Sequence, residues 1–492
     1  MRQSKSGERT SLLKPFLFLM LFILLSISVA AQTYFMGFEA GNSTSHTWTS
    51  DTPNDQWNVS AYEPYAGSYC LISGGMAHNS TSNINLNVNI ISSGSISFAM
   101  RTDTEYGGGQ FGDFLRFYID GVLQAQWAGI NPWLVQSFSI SAGVHNLSWS
   151  FHRDAFDMDE GVHEMDRVFI DSISLPSCFF YPGAGFGSAA DPYQITNAAQ
   201  LNSLRNYLGS SYANVHFKQM NDISLASYLL PGGDGYIAWG GSGWLPLGSA
   251  TSQYYGHFNG NYKSITGLKI ARSSLEDCGL WSNTATGSLI ENLNVFTEES
   301  ATVQGANSTG MLVGKNSGTI TNCSATGNVS GATWVGGIVG WNYGNLYRCH
   351  THGSVLGVGN TVGGVIGQNN GFIYDSYSSA SARGVNYVGG VVGYQGTGGS
   401  AGITNCYATG YISNTGSQIY KGGVLGFLNS GSASNSYWDV QTTGISTSYG
   451  LSNSYGKTTA AMKTQATFAG WDFAGETTNG SNDYWYLNPS YN

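Results

Sequence analysis

The sequence predicts an all-β chain in two parts, a β-sandwich of jelly-roll type followed by a solenoid of stacked parallel coils. Three observations lead there. Only 10% of the 492 residues are charged and 68 are Gly, a composition that suits tightly turned β-structure better than helix or disorder. Between Thr33 and Pro176 the chain holds runs of unequal length that alternate apolar and polar positions, as half-buried antiparallel strands do. From Ala190 onward the unit Gly-x-apolar-x-Gly recurs, ending at Gly314, Gly340, Gly367, Gly393 and Gly426 with spacings of 26, 27, 26 and 33 residues. A fixed period of roughly 20–50 residues marks stacked supersecondary units.

The first 31 residues read as a secretory signal peptide. Arg2, Lys5, Arg9 and Lys14 precede an apolar run from Phe16 to Leu25, and the small residues Ala30 and Ala31 stand before Gln32. The alternative is an N-terminal membrane anchor, because the apolar core is only just long enough for a span of ~20 residues. No other run is apolar enough to cross a bilayer, so the mature chain is expected to begin near Gln32 with no transmembrane segment. Without the leader the formal net charge of −10 becomes −13, since four basic residues and Glu8 leave with it. That sign argues against nucleic acid and against anionic membrane surfaces, where cationic patches supply the attraction. Six Cys are few for an exported chain of this length, so the fold does not rest on a disulfide framework.

In the first part, SGSISFAMRT, DFLRFYIDG and HNLSWSF read as strands, separated by turn signals such as Asp120-Gly121 and Ala142-Gly143. The boundary falls between Pro176 and Gly187. At the entrance of the second part, NAAQLNSLRNYLG places Leu201, Leu204 and Leu208 on one helical face with Gly209 as its stop. This helix is expected to cap the solenoid, whose open end would otherwise expose pairing edges.

Each Gly-x-apolar-x-Gly unit is followed by a second one, Asn322-Cys323-Ser324, Arg348-Cys349-His350, Asp375-Ser376-Tyr377, Asn405-Cys406-Tyr407 and Asn435-Ser436-Tyr437. An earlier copy starting at Cys278 has Leu293 in the cysteine slot. A strand such as GIVG cannot bury itself alone, but stacked at ~4.8 Å on its equivalent in the next coil it pairs its backbone and hides its inward side chain. Gly at both ends allows the close backbone approach of a coil corner. Asn and Ser in NNG and NSG turns act through side chain to backbone hydrogen bonds. Cys323 and Cys349 fall one coil apart in one slot, which favours a stacked pair of inward thiols over the alternative of a disulfide between coils. TTAAMKTQATFAGWDF, with a Thr cap and an aromatic cluster, is expected to close the exit.

With these residues set out, the second part resembles bacterial GLUG-motif proteins, whose repeats read approximately GGLVGxNxGxIxNCYxxGxV. The match covers roughly Ala190 to Asp472, from the leader DPYQITNAAQLNSLR through YYGHFNGNYKSITGLKI and the repeats to NSYWDVQTTGISTS. The resemblance implies a right-handed parallel β-helix acting as a surface or secreted stalk, often beside other modules, and a bacterial source. The same motif occurs in some immunoglobulin-A1-specific metallopeptidases, but the HExxH that they need is absent: His163-Glu164 has Arg167 where the second histidine belongs. The first part is similar to MAM-type jelly rolls through Phe38-Glu39 with Gly41 and Trp48, the block Asp51 to Trp57, LRFYIDG, and IDSISL from Ile170. It lacks the early cysteines of animal MAM domains. The expected organisation is a leader (1–31), a MAM-like jelly roll (32–178), a linker (179–189), a cap with irregular coils (190–300), repeat coils (301–440) and a C-terminal cap (441–492).

For chemistry, seven carboxylates crowd into eighteen residues: Asp154, Asp157, Asp159, Glu160, Glu164, Asp166 and Asp171. A solvated loop is the bland reading, and a Ca²⁺ site is the sharper one, because that ion takes roughly six to eight oxygens. The MAM resemblance favours Glu39 and Asp171, so Glu39, Asp166 and Asp171 are the expected ligands of a structural Ca²⁺. Cys70 and Cys178 are candidates for a disulfide between the first domain and its exit. Tyr106, Trp127 and Trp133 lie in or beside expected loops and are candidates for stacking on sugar rings, with core packing as the alternative. His350 and His352 have no carboxylate or third histidine near in sequence and are assigned to the coil surface or to packing between coils.

No catalytic constellation stands out. Glycoside hydrolysis normally uses two flanking carboxylates, and between Ala301 and Asp439 the only interior carboxylate is Asp375. The expected role is therefore a non-enzymatic, secreted or cell-surface binding protein, a jelly-roll head on a stiff stalk, with a glycan or extracellular matrix component as partner. The alternatives are an enzyme on extracellular polysaccharide, with Asp222, Asp234 and Glu276 as candidates, and a purely structural surface protein.

Overall fold

The structure, a computed structural model, describes residues 34–38, 48–50, 57–105, 112–155, 165–298, 301–396, 401–416, 420–475 and 478–487. An antiparallel sandwich comes first and a parallel solenoid follows. One sheet of the sandwich orders Asn58–Ser60, Cys70–Ile72, Arg167–Leu175, Gly94–Asp103 and Ile130–Ile140, with Tyr34–Met36 also pairing Arg167–Leu175. The other orders Cys178–Phe179, Ser80–Ile90, Gly143–Arg153, Phe114–Ile119 and Val122–Trp127, with Trp48–Ser50 on Ser80–Ile90. Alternation along each strand decides what is buried. Ile96, Phe98 and Met100 turn inward from one sheet to meet Leu147, Trp149 and Phe151 from the other. The Phe98 ring stands edge-on to Trp149 at 5.4 Å and to Phe117 at 4.9 Å, the arrangement that ring quadrupoles favour.

Asp120-Gly121 turns the chain between Phe114–Ile119 and Val122–Trp127 with both residues left-handed, φ 52 and 75, which is what a two-residue hairpin compatible with strand twist needs. The Asp120 carboxylate also accepts from the Asn146 N–H at 2.8 Å and meets Nδ1 of buried His145 at 2.7 Å, while His145 Nε2 faces the Ser141 carbonyl at 3.0 Å. With an oxygen opposite each ring nitrogen, the imidazolium donates both ways. The Asp120 hydrogen bond therefore raises His145 against its burial. Partial burial works against the Asp120 carboxylate, but its hydrogen bonds from His145 and Asn146 hold it below the usual range. The His145 contribution is present below about pH 6.5 and is lost as pH rises through the raised value; the Asp120 contribution is present above about pH 3.9 and is lost as pH falls through the lowered one. The stability of the sandwich to denaturant should thus fall by up to about 1 kcal/mol between pH 6 and 8, a small step because Asp120 is half exposed. His145→Gln should remove that step; an unchanged pH profile in the variant would count against the pair.

The solenoid runs from Tyr193–Ile195 to Gly456–Lys457, with parallel pairing from coil to coil. A full coil lays down four strands, for example Trp334–Gly336, Val339–Asn342, Asn345–Tyr347 and His350–Gly357. Equivalent apolar residues stack: Val335 on Val362 and Val388, Val339 on Ile366, Val392 and Leu425, and Leu346 on Ile373 and Ile403. All are fully buried. The corner glycines answer to contact: a Cβ on Gly389 would lie 1.9 Å from the Val392 carbonyl oxygen.

Two polar ladders run through the coils. In the first, buried Asn316, Asn342, Asn369 and Gln395 are joined by amide hydrogen bonds of 2.8, 2.8 and 3.1 Å. Each of the three Asn residues also closes its own Asn-x-Gly turn, as Asn342 does by bonding the Gly344 N–H and C=O. The second occupies the slot before each cysteine position, where Asn292, Asn322, Arg348, Asp375, Asn405 and Asn435 are all left-handed. Asn and Asp tolerate that conformation by bonding locally. Arg348 is the exception, and its guanidinium compensates by donating to Asn322 Oδ1 at 2.6 Å and Thr321 Oγ1 at 2.8 Å. Cys323, Cys349 and Cys406 are buried free thiols in the stacked slot, and burial holds Cys323 and Cys406 far above the usual thiol range.

At the entrance the helix is shorter than its pattern. Ala198–Ser203, capped by the Asn197 side chain on the Gln200 N–H, tightens into a 3-10 turn over Leu204–Asn206, leaving Leu201 and Leu204 buried and Leu208 only half so. At the exit, Thr458 caps Thr459–Met462, and Phe468, Trp471, Phe473 and Trp485 form the cluster that closes the stack.

Candidate functional site

The outer face of the first sheet is built by the residues that alternation turns away from the core. Arg101 follows inward Met100, and Phe169 lies between inward Val168 and Ile170. The connection from Ser60 to Cys70, AYEPYAGSY, folds over this face and is pinned in four places. Asp171 accepts from the Ala66 N–H at 3.0 Å, the Trp133 indole donates to the Glu63 carbonyl at 3.0 Å, Arg101 pairs with the Glu63 carboxylate, and the Cys70 thiol points at the Tyr62 carbonyl, 3.4 Å away. Glu63 sits at φ 40 to do so, a conformation held by its surroundings.

The result is a ring platform. Phe169 is its buried floor, with Tyr62 stacked on it at 6.1 Å, Trp133 edge-on at 6.2 Å and the Arg101 guanidinium at 5.0 Å. Tyr65 lies 5.8 Å from Trp133. Tyr62 and Tyr65 are 39% and 46% exposed, so their rings are offered to solvent beside the Arg101–Glu63 pair. Such a surface can stack on the apolar face of a sugar and hydrogen-bond its hydroxyls.

A second cluster lies just beyond the ends of Gly94–Asp103 and Gly143–Arg153 and the start of Phe114–Ile119. Ligand oxygens of Glu105, Asp113 and Asp154 lie within 4.8 Å of one another. Asp113 accepts from the Asp154 N–H at 2.8 Å, and Asp154 accepts from the Gly112 N–H at 2.7 Å. Arg153 stands between Asp166, at 2.5 Å, and Asp113, at 3.5 Å. Burial, together with the carboxylates of Asp166 and Glu105, pushes Asp113 up to about 8. Three hard oxygen donors of this kind suit a Ca²⁺-sized ion.

Several expectations are corrected. Asp171 is fully buried and binds the Ala66 and Ser172 N–H groups, and it lies five residues along an extended strand from Asp166, roughly 16 Å, so the two do not share an ion. Asp166 borders the acidic cluster as the partner of Arg153, and Glu39 lies outside the described residues. Cys70 and Cys178 are free thiols in opposite sheets of the sandwich, not a disulfide. Trp127 packs edge-on to Phe98 at 6.2 Å and to Phe138 at 6.4 Å against the core, whereas Trp133 belongs to the platform. Tyr106 lies outside the described residues, as do Asp157, Asp159, Glu160 and Glu164. His350 stacks on Tyr377 at 4.9 Å, and His352 bonds Ser379. Of the three carboxylates considered for catalysis, Asp222 and Asp234 share a shallow cleft of about 530 Å³, while Glu276 is engaged elsewhere by Asn307. Tyr62, Glu63, Tyr65 and Arg101 went unread in the sequence, although three Tyr around a Pro in one short connection were a usable signal.

Fold and site define an all-β protein with an aromatic, ionic face on a sandwich joined to a parallel solenoid. Comparison with known proteins adds the following. No family model matches the chain. A stretch of 141 residues, 28% of the chain, is 40% identical to a protein of Evansella cellulosilytica named as a Gly-rich membrane protein, covering 15% of it. A stretch of 147 residues is 31% identical to Halomucin of Haloquadratum walsbyi, covering 30% of this chain and 2% of that one. The chain thus spans a small part of the curated relatives it matches. Among solved structures, the CBM22-1 xylan-binding domain of Paenibacillus barcinonensis aligns at 17% identity and TM-score 0.21, over 30% of this chain and 96% of that one. The K1 cleaved adhesin domain of Lys-gingipain from Porphyromonas gingivalis aligns at 14% identity and TM-score 0.21, over 29% of this chain and 96% of that one. Among the described residues no helix is long and apolar enough to cross a membrane.

Proposed function

We propose that this is an exported, non-enzymatic surface protein that binds glycans through the sandwich and uses a GLUG-type solenoid as a stiff support. The observation that carries the reading is the exposed pair Tyr62 and Tyr65 around Trp133, with the Arg101–Glu63 pair alongside. Rigid rings held by a pinned loop lose little entropy when a sugar stacks on them. Glu105, Asp113 and Asp154 are proposed to hold a structural Ca²⁺ that fixes the adjoining ends of Gly94–Asp103, Phe114–Ile119 and Gly143–Arg153.

The test is binding of the chain from Gln32 onward to a broad array of glycans and matrix proteins. Trp133→Phe should keep most of the stacking surface but lose the hydrogen bond to Glu63, and Tyr65→Ala should lower affinity for the bound glycan by about tenfold or more. Array binding that survives both Tyr62→Ala and Tyr65→Ala unchanged would remove the platform from consideration.

A further inference from the structure

The solenoid carries an aromatic face of its own. Trp334 and Trp341 of one coil stand 4.3 Å apart, ring to ring, with Tyr343 4.9 Å beyond Trp341. Two coils on, Tyr387 and Tyr394 are 5.4 Å apart, and in the next coil Tyr420 and Phe427 are 5.0 Å apart. The strand register makes these a single stripe. Trp334, Thr361, Tyr387 and Tyr420 stack in one column. Lys315, Trp341, Gln368, Tyr394 and Phe427 stack in the column beside it. Val335 and Val388, next to Trp334 and Tyr387, fill the core, and Trp341 and Tyr394 are half-buried between the buried pairs Gly340 and Asn342 and Gly393 and Gln395, so the rings are on the outer side of the coils. In the intervening coil the two columns hold Thr361 and Gln368, only 3% and 7% exposed.

Charge narrows the ligand. The segments 307–317, 333–343, 360–370, 386–396 and 420–430 that form this face contain no Asp or Glu, in a chain whose formal net charge is −10. Lys315 Nζ lies 4.9 Å from the centre of the Trp341 ring and 5.2 Å from that of Tyr343. An anion repelled by the protein's overall field meets the Lys315 cation here without opposing carboxylates. The stripe ends one coil before Lys315, where the Asp277 carboxylate is held by Asn283 Nδ2 at 2.9 Å.

Spacing narrows it further. One coil advances ~4.8 Å, close to the length of one pyranose in an extended β-linked chain. Such a chain with two-fold symmetry shows the same ring face every second sugar, and Trp341 and Tyr394 are two coils apart. Along one edge the amides of Asn360 and Asn386, joined at 2.8 Å, offer donors and acceptors to ring hydroxyls.

We propose that this face binds one extended β-linked polysaccharide bearing carboxylates, laid parallel to the solenoid axis, with sugars stacked on Trp341 and Tyr394 and a carboxylate at Lys315. The site is separate from the sandwich platform and does not depend on it.

Affinity electrophoresis of the full chain without its leader, in gels containing carboxymethylcellulose or its neutral counterpart hydroxyethylcellulose, tests this. Carboxymethylcellulose should retard the protein more strongly than hydroxyethylcellulose. Trp341→Ala combined with Tyr394→Ala should weaken retardation by about tenfold or more, with Tyr65→Ala, in the sandwich, leaving it unchanged. Lys315→Gln should reduce the preference for the charged polymer several-fold. The melting transition of each variant shows that the solenoid is intact. Equal retardation by the two polymers, or retardation lost with Tyr65→Ala but kept in the double ring variant, overturns the assignment; so does the absence of retardation by either polymer.

Discussion

Adding Ca²⁺ at pH 8 should raise the melting temperature of the sandwich by several degrees, with the gain shrinking as pH is lowered toward 5. The cause lies in three carboxylate oxygens held within 4.8 Å of one another, with Glu105 and Asp113 only 3% and 2% exposed. Arg153 supplies one positive charge to this group and spends its shortest contact on Asp166, so negative charge is left in excess. Without an ion, a proton relieves it. Asp113 is pushed up to about 8, well above its unfolded value of about 3.9, so between these two pH values the native state holds a proton that the unfolded chain has released. Stability then falls as pH rises through that window. A divalent ion that replaces the proton restores it, and the two compete, which is why the response weakens in acid. At a hundredfold excess over its dissociation constant an ion adds about 2.7 kcal/mol, equivalent to roughly 5–15 °C for a domain of this size. Asp113→Asn should flatten the pH dependence of melting in chelator and blunt the Ca²⁺ response together. Identical melting curves in Ca²⁺ and chelator at pH 8 would dismiss the ion.

The repeats were legible because their cause is local and recurs. Gly at coil corners, an apolar residue between, and Asn two positions before a Gly each answer a need that every coil has, so the period of 26 or 27 residues exposes them. Even the left-handed slot before the cysteine position shows as Asn or Asp in five of six coils, with Arg348 the substitution that only coordinates explain. The sandwich sites were not legible in the same way. Tyr62, Arg101, Trp133 and Phe169 come from four segments that meet because of strand order, and period-two alternation says which face a residue takes but not which strand lies beside it. The acidic cluster failed for the same reason. The density of carboxylates between Asp154 and Asp171 drew attention to neighbours in sequence, while an extended strand carried Asp166 and Asp171 apart and the fold brought in Glu105 and Asp113 from elsewhere.

Replacing Asn342 by Leu should destabilise the solenoid by about 3–5 kcal/mol, against less than about 1 kcal/mol for Asn360→Ala on the surface. Asn342 is fully buried and uses its amide completely: Nδ2 donates to the Gly344 carbonyl at 3.0 Å and to Asn369 Oδ1 at 2.8 Å, while Oδ1 accepts from the Gly344 N–H at 3.2 Å and from Asn316 Nδ2 at 2.8 Å. Leu fills similar space but leaves four buried polar groups without that partner, and each orphan costs about 1–3 kcal/mol before relaxation recovers part of it. Because a coil is stabilised by its neighbours as much as by itself, the loss at one rung also weakens the rungs of Asn316 and Asn369. Asn342→Asp separates hydrogen bonding from packing. Its carboxylate cannot donate to Asn369 Oδ1 or to the Gly344 carbonyl and places a charge in a dry interior, so the variant should be at least as unstable as Asn342→Leu at neutral pH and should recover part of the loss in acid, where the protonated carboxyl donates again. Calorimetry of the solenoid transition decides it: equal stability for Asn342→Leu and the parent would mean that the stacked aliphatic residues hold the coils without the ladder.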